Sequence, residues 1–125
     1  MADSKKILVV EDDNALRVAI RDTIKDAGYE VFEAIDGEDG LKLALEIRPD
    51  LIVLDVLLPN MNGEKVLKQL RDNDWGKDIP IILLTNMSYL QDEESKNRSS
   101  EYMLKADTEL DELVEKIHSY LKKDS

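Results

Sequence analysis

Four residues, Leu51-Ile-Val-Leu54, are apolar without a break, and a carboxylate, Asp55, follows at once. The run is too short for a helix and shows no polar face. It reads as a strand buried on both sides, as strands of parallel sheets are. Pro59 follows four residues after Asp55. An ionised carboxylate is costly inside hydrocarbon unless something pairs with it. Asp55 therefore stands in water at the strand end, caps a turn, or points to a site at the carboxyl edge of a sheet, where open α/β folds bind ligands.

The rest of the chain repeats the theme. Residues 7–10 are a β-branched apolar run, followed by Glu11-Asp12-Asp13-Asn14. Leu16, Ala19, Ile20, Thr23, Ile24 and Ala27 then recur at helical spacing, and Gly28 is a C-cap residue for that helix. Asp13 suits the N-cap, pointing away from its two acidic neighbours. Residues 29–34 form a less apolar second strand, and Asp36-Gly37 opens a second helix with Leu41, Ala44 and Leu45 on its stripe and Pro49 beyond its end. After the third strand, 51–55, Asn62 serves as N-cap to a helix carrying Val66, Leu67 and Leu70. Residues 73–78 are polar apart from Trp75 and read as a loop, and 79–84 is the fourth strand, with Pro80 near its start. Ser88-Tyr-Leu-Gln91 has capping-box spacing for a fourth helix, yet no apolar residue occurs from Gln91 to Glu101. Residues 102–104 are a short fifth strand, ending at Lys105. Thr108-Glu-Leu-Asp111 is a second capping box, and Leu110, Leu113, Val114, Ile117 and Leu121 give a fifth helix its stripe. His118, among charged residues on that helix, reads as a solvated surface residue.

Five strands alternating with five helices imply a doubly wound parallel α/β sheet covered on both faces. Strands three and four are the most apolar and belong near the centre; strand two suits an edge. The flavodoxin-like order 2-1-3-4-5 fits, with its switch point between strands one and three. That order brings Glu11, Asp12 and Asp13, then Asp55, Thr85 and Lys105, to one edge. At 125 residues the chain reads as a single domain, 1–125, with a core of about 5–122. Hydrophobic residues make 42% and charged residues 36%, a globular balance. No Cys and no membrane-length apolar run occur, which favours a reducing cytoplasm and no membrane insertion. A net charge of −11 argues against direct nucleic-acid binding and suits protein partners or cations.

The chain resembles the receiver domain of two-component response regulators, of the stand-alone, chemotaxis-receiver-like kind. The motifs carrying this are Leu8-Val-Val-Glu-Asp12, Asp50-Leu-Ile-Val-Leu-Asp55, Pro59-Asn-Met-Asn-Gly63, Leu83-Leu-Thr85 and Tyr102-Met-Leu-Lys105. The likeness covers essentially the whole chain and leaves no room for an output domain. It implies that Asp55 is a phosphoryl acceptor, served from a phosphohistidine of a sensor histidine kinase or a phosphotransfer protein. It implies Mg²⁺ (or Mn²⁺) held by Asp12, Asp55 and the Leu57 backbone carbonyl, with Glu11 acting through water. Crowded carboxylates raise one another's pKa unless a cation lies between them, and Mg²⁺ takes oxygen ligands while retaining waters. Lys105 would pair with Asp55 at rest and with a phosphoryl oxygen afterwards. Thr85 would hydrogen-bond the phosphoryl group, and Thr85 and Tyr102 would switch the face of helix four, strand five and helix five for a downstream partner. A phosphorylation-dependent dimer is compatible with this. The chain would count as a signalling switch more than an enzyme, although it would catalyse its own phosphorylation and a slow dephosphorylation.

Some positions depart from the family pattern. Glu11 stands where Asp is frequent, and its extra methylene alters the cation's shell. Ala106 replaces the usual Pro after the Lys, and a cis bond before a non-proline residue costs roughly 3 kcal/mol, so a trans bond is expected there. Ser99-Ser100 replaces a Gly-Ala pair, and Asn86 a smaller residue. Leu57 and Met87, two residues past Asp55 and Thr85, cannot orient an attacking water, so slow hydrolysis is expected. The nearest rival is a receiver-fold interaction module acting without phosphorylation; the complete set Asp12, Asp55, Thr85 and Lys105 counts against it. A flavin carrier would want Ser, Thr and Gly after strand one to cradle phosphate. An Asp-nucleophile phosphatase would want a second Asp at Leu57.

Overall fold

The computed structural model describes residues 4–85, 99–105 and 108–122, and Thr85 by its backbone. Within them lie strands β1 (Lys6–Val10), β2 (Glu30–Ala34), β3 (Leu51–Leu54), β4 (Ile81–Thr85) and β5 (Glu101–Leu104). The α-helices are α1 (Asn14–Asp26), α2 (Gly37–Ile47), α3 (Gly63–Arg71) and α4 (Leu110–Lys122), and Trp75–Lys77 is one turn of 3₁₀ helix. The helix expected to start at Ser88 lies outside the described residues, as do Asn86, Met87 and the Lys105–Ala106 bond; the expected fifth helix is α4.

All neighbouring strands are parallel, in the order β2-β1-β3-β4-β5. This is the flavodoxin-like arrangement the alternating apolar runs predict. The most apolar strand, β3, is central, and β2 is an edge. The period of two along each strand divides the core into two layers. Leu8, Val10, Ile52, Leu54, Ile81 and Leu83 face Ala44 of α2 and Val66, Leu67 and Leu70 of α3. Ile7, Val9, Leu51, Val53, Ile82 and Leu84 face Ile20 and Ile24 of α1 and Leu113, Ile117 and Leu121 of α4. The register sets the carboxyl ends level: Val10 opposes Leu54, Leu54 opposes Leu83, and Thr85 opposes Leu104. The residues that follow Val10, Leu54 and Leu104 therefore land on one edge. No described helix is long and apolar enough to cross a membrane.

The helix starts follow local chemistry. Asp13, Asp36 and Asn62 each cap a helix, accepting from the backbone N–H of Leu16 (2.9 Å), Asp39 (2.8 Å) and Lys65 (2.9 Å). Helix α1 ends on Ala27, with Gly28 beyond it at φ 103°. Two expectations change. Helix α4 begins at Leu110, and the Thr108 hydroxyl donates to the Leu104 carbonyl at 2.6 Å, tying the segment to β5. His118 is not freely solvated: it is partly buried, stacked at a tilt on Tyr29 with ring centroids 5.3 Å apart, and hydrogen-bonded to the Tyr29 hydroxyl.

Candidate functional site

Asp55 comes directly after β3, where its backbone N–H donates to the Val10 carbonyl of β1 at 3.1 Å. Glu11 directly follows β1 and is tied on the other side, its N–H donating to Ala34 of β2 at 3.0 Å. The sheet thus presents the two residues side by side. Both are buried, Glu11 with 2% and Asp55 with 4% of its surface exposed, while Asp12 faces solvent. Carboxylate oxygens of Glu11, Asp12 and Asp55 all lie within 4.8 Å of one another.

Lys105, directly after β5, closes the pocket from the opposite side. Its Nζ stands 3.0 Å from Asp55 Oδ2 and 2.8 Å from Glu11 Oε1. Glu11 Oε2 accepts the Asp13 backbone N–H at 3.0 Å, so both its oxygens are engaged. The nearby backbone N–H groups of Val56 and Leu57 also favour the charged form of Asp55, more weakly than Lys105 does. Burial pushes both carboxyl groups above their ordinary pKa, and the hydrogen bond from Lys105 pulls each back only in part. For Lys105, burial works downward, but hydrogen bonds to Glu11 and Asp55 outweigh it and hold the ammonium above its ordinary pKa.

The loop after Asp55 is held close. The Gly63 N–H donates to the Val56 carbonyl at 2.7 Å, and a Cβ on Gly63 would stand 2.0 Å from the Asp55 carbonyl oxygen. Only a residue without a side chain fits there. Leu57, two residues past Asp55, is 46% exposed. Arg17 of α1 braces the other wall, donating from Nη1 to the Glu11 carbonyl at 3.2 Å and from Nε to Glu33 Oε1 at 3.0 Å.

Of the residues singled out in the sequence, Glu11, Asp12, Asp55 and Lys105 come together in this pocket. Asp13 instead caps α1. Thr85 ends β4 beside Leu104, one residue before Lys105, so its backbone reaches the same edge. Tyr102 opposes Leu83 on β5; its ring packs on the layer containing Leu8, Val10 and Leu83, and its hydroxyl is shielded from solvent. The Glu11–Lys105 ion pair was not foreseen. The one signal for it was the extra methylene of Glu, which carries its carboxylate far enough to meet the ammonium. The donor set fits a hard divalent cation: three carboxylates, all oxygen, converging from two strand ends.

A family model described as "Response regulator receiver domain" matches residues 7–118. The chain is 36% identical over 118 residues to the polar-differentiation response regulator DivK of Brucella anthropi, covering 94% of this chain and 96% of DivK. It is 39% identical over 87 residues, 70% of its length, to the DNA-binding dual master transcriptional regulator RpaA of Synechocystis, and that match covers 36% of RpaA. The chain spans about a third of the length of several such curated relatives. The crystal structure of response regulator TrrA from Thermotoga maritima, in complex with Mg²⁺-BeF, superposes with a TM-score of 0.83 at 34% identity, over 93% of this chain and 98% of TrrA. Because the matched span carries both the 2-1-3-4-5 sheet and the acid pocket at its carboxyl edge, the chain belongs to the family of response regulator receiver domains.

Proposed function

We propose that Asp55 accepts a phosphoryl group from a phosphohistidine of a sensor histidine kinase or phosphotransfer protein, in the presence of Mg²⁺ or Mn²⁺, and that the chain acts as one receiver domain in the cytoplasm. The observation that carries this reading is the Lys105 ammonium 3.0 Å from Asp55 Oδ2, beside the carboxylates of Glu11 and Asp12. A carboxylate oxygen is a modest nucleophile, so the work falls on positioning and charge neutralisation. The Lys105 ammonium, 3.0 Å from Oδ2, orients the Asp55 carboxylate. One of its oxygens forms the new O–P bond while the P–N bond of the donor imidazole breaks and its electron pair returns to that nitrogen. Lys105 then turns from the carboxylate to an oxygen of the transferred group, as a point charge.

Asp12, Asp55 and the Leu57 carbonyl would hold the cation, with Glu11 acting through water. When bound, the cation neutralises charge that builds on the phosphoryl oxygens. The Glu11–Lys105 pair supports a supporting role for Glu11, since both its oxygens already have partners. Thr85 and Tyr102 would couple the new dianion to the readout face, formed by β5, α4 and the segment before β5, shifting a pre-existing equilibrium. A downstream protein, or a second copy after phosphorylation, would dock there. Direct nucleic-acid contact and membrane insertion form no part of this reading, given the net charge of −11.

The decisive experiment is intact mass after incubation with acetyl phosphate and Mg²⁺. Gain of one phosphoryl group, absent in Asp55→Asn, is expected. No gain in the wild-type chain would favour an interaction module that works unphosphorylated.

A further inference from the structure

Three acidic side chains are buried among the described residues: Glu11, Asp55 and Asp36. The first two line the pocket; Asp36 has no part in the proposed chemistry. It lies between β2 and α2, and its Oδ1 caps α2 by accepting the Asp39 N–H at 2.8 Å. Its other oxygen is also used: Oδ2 accepts the side-chain amide of Asn60 at 3.1 Å. Beside this contact the Gly37 N–H donates to the Pro59 carbonyl at 3.3 Å. The approach is close enough that a Cβ on Gly37 would stand 1.6 Å from the Met61 carbonyl oxygen. Asn60 holds φ 69°, in the left-handed region that Asn tolerates better than most residues.

The segment 56–62 is thus tied twice. Gly63 anchors its start to the Val56 carbonyl, and the beginning of α2 anchors Pro59 and Asn60. Leu57 lies between the two ties, and Val56, which carries the first of them, joins the segment directly to Asp55. We infer that Asp36 and Asn60 form a strut that positions this segment, and through it the Asp55 carboxylate and the Leu57 carbonyl, for cation binding. They are positioning residues; neither belongs to the group of acids that could hold an ion. With the strut cut, the segment keeps only its backbone ties, Gly63 to Val56 and Gly37 to Pro59, and a cation must order more of the loop as it binds. The inference rests on the cation site proposed above.

A pure helix cap would make the same bond to Asp39 and leave the pocket indifferent, and two variants separate the roles. Asp36→Ser keeps an oxygen for the Asp39 N–H but is too short to reach Asn60. Asn60→Gly accepts φ 69° without strain and removes the amide. Mg²⁺ affinity of the full chain is measured by titration calorimetry for the wild type, both single variants and the double variant, with thermal melts in EDTA alongside. Each single variant is expected to bind Mg²⁺ about two- to tenfold more weakly, the scale of one hydrogen bond. The double variant should be no weaker than the weaker single one, because the strut can be cut only once. Lower melting in EDTA with unchanged Mg²⁺ affinity would overturn the inference, as would losses that add in the double variant. A wild-type chain that takes up no Mg²⁺ would overturn the cation site itself, a result read from the reference titration alone.

Discussion

Replacing Asp55 by Asn should stabilise the metal-free protein while abolishing phosphorylation. Asn keeps the shape, and its side-chain oxygen can still accept from the Lys105 ammonium. At an effective dielectric of about 20, charges 4.8 Å apart repel by about 3.5 kcal/mol and charges 3.0 Å apart attract by about 5.5 kcal/mol. Glu11 contributes the full repulsion; Asp12, exposed and screened, contributes about half as much or less. These terms nearly cancel the attraction of Lys105. What remains is the desolvation of the Asp55 charge, the largest influence on its pKa and an unfavourable one. A gain of about 2 kcal/mol follows for the uncharged variant, less than the several kcal/mol of a fully buried ion. At this chain length that raises the melting temperature by about 6–10 °C.

The pH dependence has a definite sign. A carboxyl group whose folded pKa is raised favours the fold fully below its unfolded pKa, about 4, and loses that contribution as pH rises through the raised folded value. The gap between Asp55→Asn and wild type should therefore be small near pH 4 and widen toward pH 7. Mg²⁺ should narrow it by stabilising the wild type, by about 1.4 kcal/mol at ten times its dissociation constant. Thermal melts followed by circular dichroism in EDTA, across that pH range and with added Mg²⁺, test all three points. If Asp55→Asn melts at or below the wild type in EDTA at neutral pH, the electrostatic account of the pocket is wrong.

Lys105→Met leaves Glu11 and Asp55 buried without their cation, so urea denaturation in EDTA should show a loss of about 3 kcal/mol, with no loss refuting the pairing. Gly63→Ala drives a methyl group against the Asp55 carbonyl, 2.0 Å away, and should destabilise by about 2 kcal/mol or more in the same assay, where a neutral result would contradict the close approach. Leu57→Asn places a polar group at an exposed position where an apolar one stands, and should speed loss of the phosphoryl group from Asp55; an unchanged decay, followed by phosphate release, would remove Leu57 from the account of slow hydrolysis.

Much of the fold was legible in short stretches of chain. Uninterrupted apolar runs such as 7–10 and 51–54 announce strands buried on both faces, because no helix or surface strand could hide every side chain. Asp13, Asp36 and Asn62 announce helix starts, because a cap bonds within three residues of itself. The strand ends then fall on one edge by topology, which is why Asp55 and Lys105 could be paired across 50 positions.

Contacts set by side-chain reach between distant segments were beyond such reasoning. Glu11 bonds to Lys105, a pair that no local pattern announces; whether a carboxylate meets an ammonium depends on a single methylene and on where two loops leave the sheet. His118 looked solvated from its charged neighbours in sequence, but Tyr29, 89 positions away, covers it, since α4 packs beside α1. Thr108 sits in a good capping box, yet its hydroxyl donates to the Leu104 carbonyl at the end of β5. Asp36 read as a helix start and nothing more; its second oxygen acquired meaning only when the sheet brought Asn60 beside it. Periodicity and capping act over one turn or one strand, so they survive in the sequence. Pairings across tens of residues are decided by packing, which alone settles which polar groups lose their water and must find each other.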